Sequence, residues 1–487
     1  MGSIPIIRPR TNFATTMKGL KLHGKDLIAI GYPEGRAIGL AINVMLKHHR
    51  KWSEEKALEL LCSILADPAS YSEHEHYAPI ADALTGRDRK NEAQHELVAR
   101  KDYRTYGADH IEQGAIHQME VAMKLPVTVG GALMPDAHQG YGLPIGGVLA
   151  VENAVIPYGV GMDIGCRMCL SIFRIDPSVL EKNREDHKRL LTEHTRFGRA
   201  VHEKRMDHEV LERSEFNTIP VVKHLKSRAW QQIGSSGSGN HFVEFGVVEI
   251  ADAQNEFELP VGAYLALLSH SGSRGMGAGI AAHYTRVAKE LCKLPADAQN
   301  LAWLSLDSAE GMEYWLAMNL AGDFASACHH QIHARIAKAI GEKPAAMVEN
   351  HHNFAWKEMH DGREVIVHRK GATPAGKGVL GVIPGSMTAP GYIVRGTGMA
   401  ESINSASHGA GRTMSRTRAK ETISPSEVKI HLDQHGITLV GGGLDEAPMA
   451  YKDIRTVMDS QRDLVEVIGS FTPKVARMCG DGSAAED

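Results

Sequence analysis

The strongest constraint on the fold is a change of pattern near residue 103. From there on, apolar runs of strand length (VTVGGALM, GGVLAVENAVIPYGVGM, HFVEFGVVEI, YLALLSHSG) are separated by glycine-rich turns. Short apolar runs bounded by turn residues read as strands. Two longer segments, 278–294 and 308–341, keep helical spacing instead. Strands and helices do not alternate regularly, so the pattern predicts an α+β body, a mixed β-sheet core flanked by helices, rather than a doubly wound parallel sheet. Upstream, KWSEEKALELLCSILAD carries apolar residues at helical spacing, with Ser53 and Glu54 at a plausible N-terminus. The polar, charged stretch TGRDRKNEAQHELVARKD (85–102) reads as a linker. The predicted organisation is a helical N-terminal extension (1–100), a main domain (101–480) and a small acidic tail (481–487) expected to be disordered.

Composition limits the functional classes. A net charge of −4 over 487 residues gives no global drive towards nucleic acid, so any such contact must come from a local basic patch. No apolar run approaches the ~20 residues of a membrane-spanning helix. The start, MGSIPIIRPRTNF, lacks a secretory apolar region and cleavage site, and its Met-Gly-Ser gives weak support for myristoylation. The six cysteines (Cys62, Cys166, Cys169, Cys292, Cys328, Cys479) do not resemble a disulfide framework, and a reducing cytoplasm is the expected location. The segment LHGKDLIAIGYPEGRAIGLAINVML (22–46) is similar to a helical segment of nucleotidyltransferases acting on tRNA 3′ ends. A helix-turn-helix scaffold explains its spacing at least as well.

The 27 histidines and 49 glycines matter through their placement. Five short segments set polar residues among glycines. Residues 161–166 carry Asp163 and Cys166, and 239–244 carry Asn240, His241 and Glu244. Residues 270–275 carry His270 and Arg274, 349–353 carry His351 and His352, and 407–412 carry His408 and Arg412. One Asp, one Cys and several His form a mixed O/S/N set suited to Mn²⁺, Fe²⁺, Co²⁺ or Zn²⁺. Any one of these histidines alone is better read as a hydrogen-bonded core residue, but five such clusters together point to a site. Cys166 and Cys169 form a lone CxxC, which argues against a structural zinc finger and leaves Cys169 as a core residue. His329, His330 and His333 fall on a predicted helix with the wrong spacing for HExxH and read as packing or solvated residues. Arg369, Lys370, Lys377, Arg395, Arg416, Arg418 and Lys420 are candidates for a local basic patch.

At these residues the chain resembles the RtcB family of RNA ligases. The motifs are MPDAHQGYGLPIGG (134–147), GMDIGC (161–166), GSGNHFVE (237–244), HSGSRG (270–275), HHN (351–353), PGSM (384–387), SHGAGR (407–412) and EAPMAYKDI (446–454), in the family's order. The resemblance implies an RtcB-like core and joining of RNA 2′,3′-cyclic phosphate or 3′-phosphate ends to 5′-hydroxyl ends, with GTP and two Mn²⁺. It implies Cys166 bridging the metals, with Asp163, His241, His270 and His352 as the other ligands, and His408 as the nucleophile that carries GMP. For the nucleotide it implicates Asn240, Phe242, Glu244, Asn353, Pro384, Ser386, Met387, Gly409, Ala410, Gly411, Tyr451 and the position of Cys479. For RNA phosphate it implicates Arg274, Arg412 and Arg416, the last two expected on one face of a following helix. An archease-type activator is a candidate partner, and a monomer is expected.

Two positions depart from the family pattern. Gly391 stands where the family usually has Ser, and Cys479 stands opposite a Lys that touches guanine, with Lys474 a few residues earlier. These departures put nucleotide selectivity in question more than reaction class. The competing readings are a metal-dependent RNA-end phosphoesterase and a non-ligating RNA-binding paralogue.

Overall fold

The computed structural model describes residues 20, 22–33, 36–85, 95–204 and 206–483, together with the backbone of Ile6–Ile7. The linker reading of 85–102 therefore lies outside the described residues over 86–94, and the tail reading lies outside them over 484–487. The expected N-terminal helices are present: α1 (Arg36–His48), α2 (Glu54–Ala66) and α3 (Ala78–Thr85). Ser53 caps α2, its hydroxyl accepting the Lys56 amide at 3.3 Å, which satisfies one of the helix's orphan donors. Leu27, Leu40, Met45, Leu61 and Ile64 are fully buried in one cluster that reaches Ala309 in the main body.

The other helices that matter for the site are α4 (Gln113–Ala122), α5 (Arg184–His194), α6 (Pro220–Gln232), α7 (Arg274–Leu291) and α8 (Ala309–Ile340). The strands, in chain order, begin with β1 (Thr128–His138), β2 (Ile145–Val151) and β3 (Arg167–Phe173). They continue with β4 (Phe242–Ile250), β5 (Gly262–Ser271), β6 (Ala346–His351), β7 (Asn353–His360) and β8 (Arg363–Lys370). The last are β9 (Leu380–Ile383), β10 (Gly391–Gly396) and β11 (Val465–Met478).

The larger sheet runs β6-β3-β5-β4-β11-β10-β9, all neighbours antiparallel, with Ile6–Ile7 parallel along β6 and Thr438–Val440 parallel beside β11. It curls until its edges meet. The Asn350 side chain on β6 both accepts from the Val382 amide (2.8 Å) and donates to the Val382 carbonyl (3.3 Å) on β9. Side chains alternate across a strand, so Met168, Leu170 and Ile172 of β3 face the inside of the curl with Leu268, Val348, Val382 and Phe471. Phe173 of the same strand faces the other way, onto Leu191 of α5 and Ile332 and Ile336 of α8. A second sheet, β7-β8-β2-β1 with Arg104–Thr105 at its edge, packs with α4, α6, α7 and α8 around the main core.

The 32-residue α8 is buried over most of its circumference, with Asp323, Ala334 and Lys338 among its exposed residues, as a helix with a wide apolar face requires. Ser308 caps its start, donor and acceptor 3.1 Å apart, and Gly341 ends it in the left-handed region at φ 75. Where the sequence predicts helices over 278–294 and 308–341, the structure has Arg274–Leu291 and Ala309–Ile340.

Candidate active site and metal centre

The pocket opens where the curled sheet meets the second sheet, and segments distant in sequence converge there. Alternation on β5 turns His270 towards it, and the loop before β3 brings Asp163 and Cys166. His352 sits at the junction of β6 and β7, where its amide donates to the Cys166 carbonyl (3.0 Å) and the Gly165 amide donates to the Asn353 carbonyl (2.7 Å). Gly272 must be glycine, because a Cβ there would stand 2.0 Å from the Asp163 carboxylate.

The five candidate ligands form one cluster. Asp163 Oδ2 lies 3.0 Å from His241 Nε2. Cys166 Sγ lies 3.3 Å from His241 Nε2 and 3.1 Å from His270 Nε2, and His270 Nε2 lies 3.1 Å from His352 Nε2. All five residues are buried. Burial pushes the Asp163 carboxyl up, but its contact with His241 outweighs this and holds it below the usual range. Burial holds His270 and His352 well below the ordinary imidazole value. His270 Nδ1–H donates to the Asn240 carbonyl (3.1 Å), so its Nε2 lone pair faces the cluster. A carboxylate, a thiol and three inward imidazole nitrogens at this spacing fit a divalent transition metal, and neutral imidazoles are its usual form of ligand. His351 points away from the cluster, its ring against Phe354 and Trp356.

His408 stands beside this cluster, its ring centroid 4.9 Å from that of His352. Asp136 fixes its orientation. Pairing of β1 with β2 is irregular between Leu133 and His138, and such a bulge re-aims side chains. The Asp136 Oδ2 atom accepts His408 Nδ1–H (2.7 Å) and the backbone amides of His408 (3.1 Å) and Gly409 (3.3 Å). Burial pushes this carboxyl up, but the bond to His408 outweighs it and holds the group ionised. A donor at Nδ1 leaves the Nε2 lone pair of a neutral ring available. Gly411, at φ 72, lets the loop pass the Asp136 carbonyl, which a Cβ would approach to 2.0 Å.

The rest of the pocket divides into an end of paired arginines and acids, where Arg412 lies 3.6 Å from Glu446, and a more apolar end. Arg412 and Arg416 line one wall. Arg416 pairs with Glu446 and with Asp445 (3.3 Å), while the Arg412 guanidinium lies 5.2 Å from the Tyr451 ring centroid. Only Arg416 is on the following helix, at its first turn. Arg412 sits before it in a β-bridge with Tyr451, so the expectation that both share a helix face is corrected. Lys370 donates to the Tyr141 carbonyl (2.6 Å), and burial pulls its amine down to about 7. At the apolar end, Glu244 lies among Phe242, Leu268, Phe471 and Met478. Burial pushes its carboxyl up to about 8, with no charged neighbour contributing. Asn240, Asn353, Pro384, Ser386, Met387, Gly409, Ala410 and Tyr451 also line the pocket. Gly391 does too, and a Cβ there would lie 3.3 Å from Pro384 Cα, so its absence widens that wall.

Two expected contact residues are not brought to the pocket. Arg274 is fully buried, in a left-handed turn at φ 57, and donates to the Gly198 carbonyl (2.6 Å); its guanidinium is used inside the protein. Cys479 faces away, its thiol donating to Asp481 (3.0 Å), because Ala476 and Met478 take the pocket side of β11. The basic patch also divides: Arg369 is buried against Glu358 (2.6 Å), and Arg395 pairs with Glu256 and Glu466. Asp136, Glu446 and the pocket-lining role of Lys370 are missing from the sequence-derived set. An Asp near the end of the largely apolar run 127–137 is the available signal for the first, because a buried carboxylate needs partners.

A buried thiol–imidazole–carboxylate cluster beside a carboxylate-held histidine, in a pocket with a wall of paired arginines and acids, defines a candidate metal-dependent enzyme site. The known proteins with the same sequence pattern narrow that class. The tRNA-splicing ligase RtcB family model matches residues 118–477. The RNA-splicing ligase RtcB of Escherichia coli (strain K12) is 32% identical over 393 residues, 74% of this chain and 92% of that protein. The tRNA-splicing ligases RtcB of Methanococcus maripaludis and Thermococcus kodakarensis are each 31% identical, over 71% and 72% of this chain and 85% and 86% of their own lengths. The chain belongs to the RtcB family of RNA ligases. Among the described residues, no helix is long and apolar enough to cross a membrane.

Proposed function

We propose that this protein is a GTP- and Mn²⁺-dependent ligase that joins RNA 2′,3′-cyclic phosphate or 3′-phosphate ends to 5′-hydroxyl ends through GMP carried on His408. The observation that carries this reading is the Asp136–His408 pair, 2.7 Å apart, beside the candidate ligand cluster. A nucleophilic imidazole needs one bare nitrogen, and Asp136 supplies the condition by holding the proton on Nδ1. His408 Nε2 attacks the α-phosphorus of GTP; the N–P bond forms and the bond to pyrophosphate breaks. Asp136 then faces a ring with cationic character, which its charge stabilises. The cyclic end is hydrolysed to a 3′-phosphate, whose oxygen takes GMP from His408, restoring the imidazole. The 5′-hydroxyl attacks the activated 3′-phosphate, GMP leaves and the strand is sealed.

Asp163, Cys166, His241, His270 and His352 are the residues that would hold two Mn²⁺. Bound there, the ions would neutralise phosphate charge and act as Lewis acids. Arg412 and Arg416 suit bidentate binding of phosphate oxygens. Glu244, when ionised, accepts from guanine N1–H and the 2-amino group, and Tyr451 offers a stacking face. Action in the cytoplasm as a monomer, with an archease-type activator, belongs to the same proposal. The helical extension and main domain divide at about residue 100 in this reading.

The test is intact-protein mass spectrometry after incubation with GTP and Mn²⁺, with ATP in parallel. An acid-labile GMP adduct on His408 is the expected result. An AMP adduct alone would keep the mechanism and reject the guanine assignment. Metal-loaded protein that forms no adduct with either nucleotide would overturn the proposal.

A further inference from the structure

Behind the ligand cluster, on the face of the sheet turned away from the pocket, lies a buried polar chain. Alternation on β5 sends His270 to the pocket and its neighbours Ser269 and Ser271 towards α8. On α8, His329 and His333 are one turn apart and share a face. Five residues connect in series: Ser171 Oγ to His333 Nδ1 (2.7 Å), His333 Nε2 to Ser269 Oγ (2.7 Å), Ser269 Oγ to His329 Nδ1 (2.6 Å) and His329 Nε2 to the Ser271 carbonyl (3.0 Å). All five are fully buried.

The direction of every bond follows from the last one. A carbonyl only accepts, so His329 Nε2 carries the proton and Nδ1 of the neutral ring is bare. Ser269 must therefore donate its hydroxyl to His329 and accept from His333 Nε2–H, which leaves His333 Nδ1 to accept from Ser171. Burial keeps both rings neutral. A neighbouring contact on the same helix reaches the next ligand strands. His330 Nε2 lies 3.0 Å from Glu349 on β6, and Glu349 pairs at 2.7 Å with Arg167, the residue after Cys166. Arg167 in turn donates to the Gly322 carbonyl of α8 (2.6 Å).

We propose that His329 and His333 are positioning residues for the candidate metal centre: their one-way hydrogen-bond chain holds β5 on both sides of His270, through the Ser269 hydroxyl and the Ser271 carbonyl, and fixes that ligand's distance from Cys166 and His352. The inference rests on the metal reading of the Cys166 cluster. Cys169 lies close enough to His329 and His333 for the three to hold an ion of their own. Against that, the two facing ring nitrogens already hold the Ser269 hydroxyl between them, which leaves neither a lone pair to offer an ion. An unreplaced outer partner of a ligand typically changes metal affinity 10–100-fold.

The experiment is a Co²⁺ titration of the metal-stripped full chain, reading the thiolate-to-cobalt absorption band, metal stoichiometry and Mn²⁺ competition. His329→Leu weakens Co²⁺ binding at the Cys166 centre by about 10–100-fold and alters its band. Ser269→Ala, a small change in a strand, shifts both in the same direction while far-ultraviolet circular dichroism stays parental. His329→Gln, whose amide N–H can reach the Ser271 carbonyl, restores most of the affinity. Folded Ser269→Ala with parental affinity and band would overturn the proposal. So would a further ion per chain that disappears in His329→Leu, because the cluster would then be a ligand site itself. A parental protein that binds no Co²⁺, or a Cys166→Ala protein that keeps the band, would take down the metal reading itself and is distinguishable from either result.

Discussion

Asp136→Asn would keep an oxygen to accept from His408 and the two backbone amides but remove the charge that steadies the ring during transfer. GMP transfer should slow by about 10²-fold, measured as the single-turnover rate of adduct formation, with Asp136→Ala slower still. His408→Ala should form no adduct while its circular dichroism stays parental. Glu244 leads to a pH prediction. Its carboxyl, pushed up to about 8 by burial, is mostly neutral at pH 7 and ionised at pH 9, and in the proposed role only the ionised form would accept from both guanine donors. GTP affinity relative to ATP should therefore rise between pH 7 and 9, and Glu244→Gln should flatten the dependence; a ratio that falls with pH would reject this role. Single residues also show where sequence reading stops. Asp163, Cys166 and His408 are legible because polar residues among glycines have few structural uses. Cys479 is not, because the pairing of β11 shifts register between Pro473 and Val475, and one residue of slip exchanges the two faces of a strand. Arg274 is misread because its left-handed backbone turns the guanidinium inward.

At the scale of elements, periodicity reveals α2, α7 and α8, and apolar runs reveal β1, β4 and β5. What it leaves out is the partnership between elements, which depends on contacts remote in sequence. Arg369 is an example. It reads as a surface cation, yet on β8 it is fully buried, bonded twice to Glu358 on β7 and to Ser405 (2.7 Å) and the Ile403 carbonyl (3.0 Å). It thereby ties the second sheet to the segment leading into His408. Arg369→Ala would leave Glu358 without its partner in a half-dry site and should lower unfolding free energy by about 3–5 kcal/mol, read by chemical denaturation. A loss below about 1 kcal/mol would show that water replaces the guanidinium.

At the scale of the whole molecule, α1 to α3 form a separate apolar cluster joined to the body through Ala309, the Asn43–Leu306 hydrogen bond (2.6 Å) and the exposed Lys47–Asp307 pair. None of their described residues lines the pocket. Met45→Ala, in the middle of that cluster, should cost about 2–5 kcal/mol yet leave the rate of GMP-adduct formation per folded molecule unchanged. A rate that falls with stability would mean that the layer reaches the site through the α8 packing. The site itself draws on the main body from end to end, and that has a consequence for how the protein is made. Asp136 and His408 are 272 residues apart, so at 5–20 residues per second a growing chain holds Asp136 for roughly 14–54 s before its partner exists. A chain cut short before residue 408 lacks the pair altogether, so such a product keeps the carboxylate without the imidazole it orients.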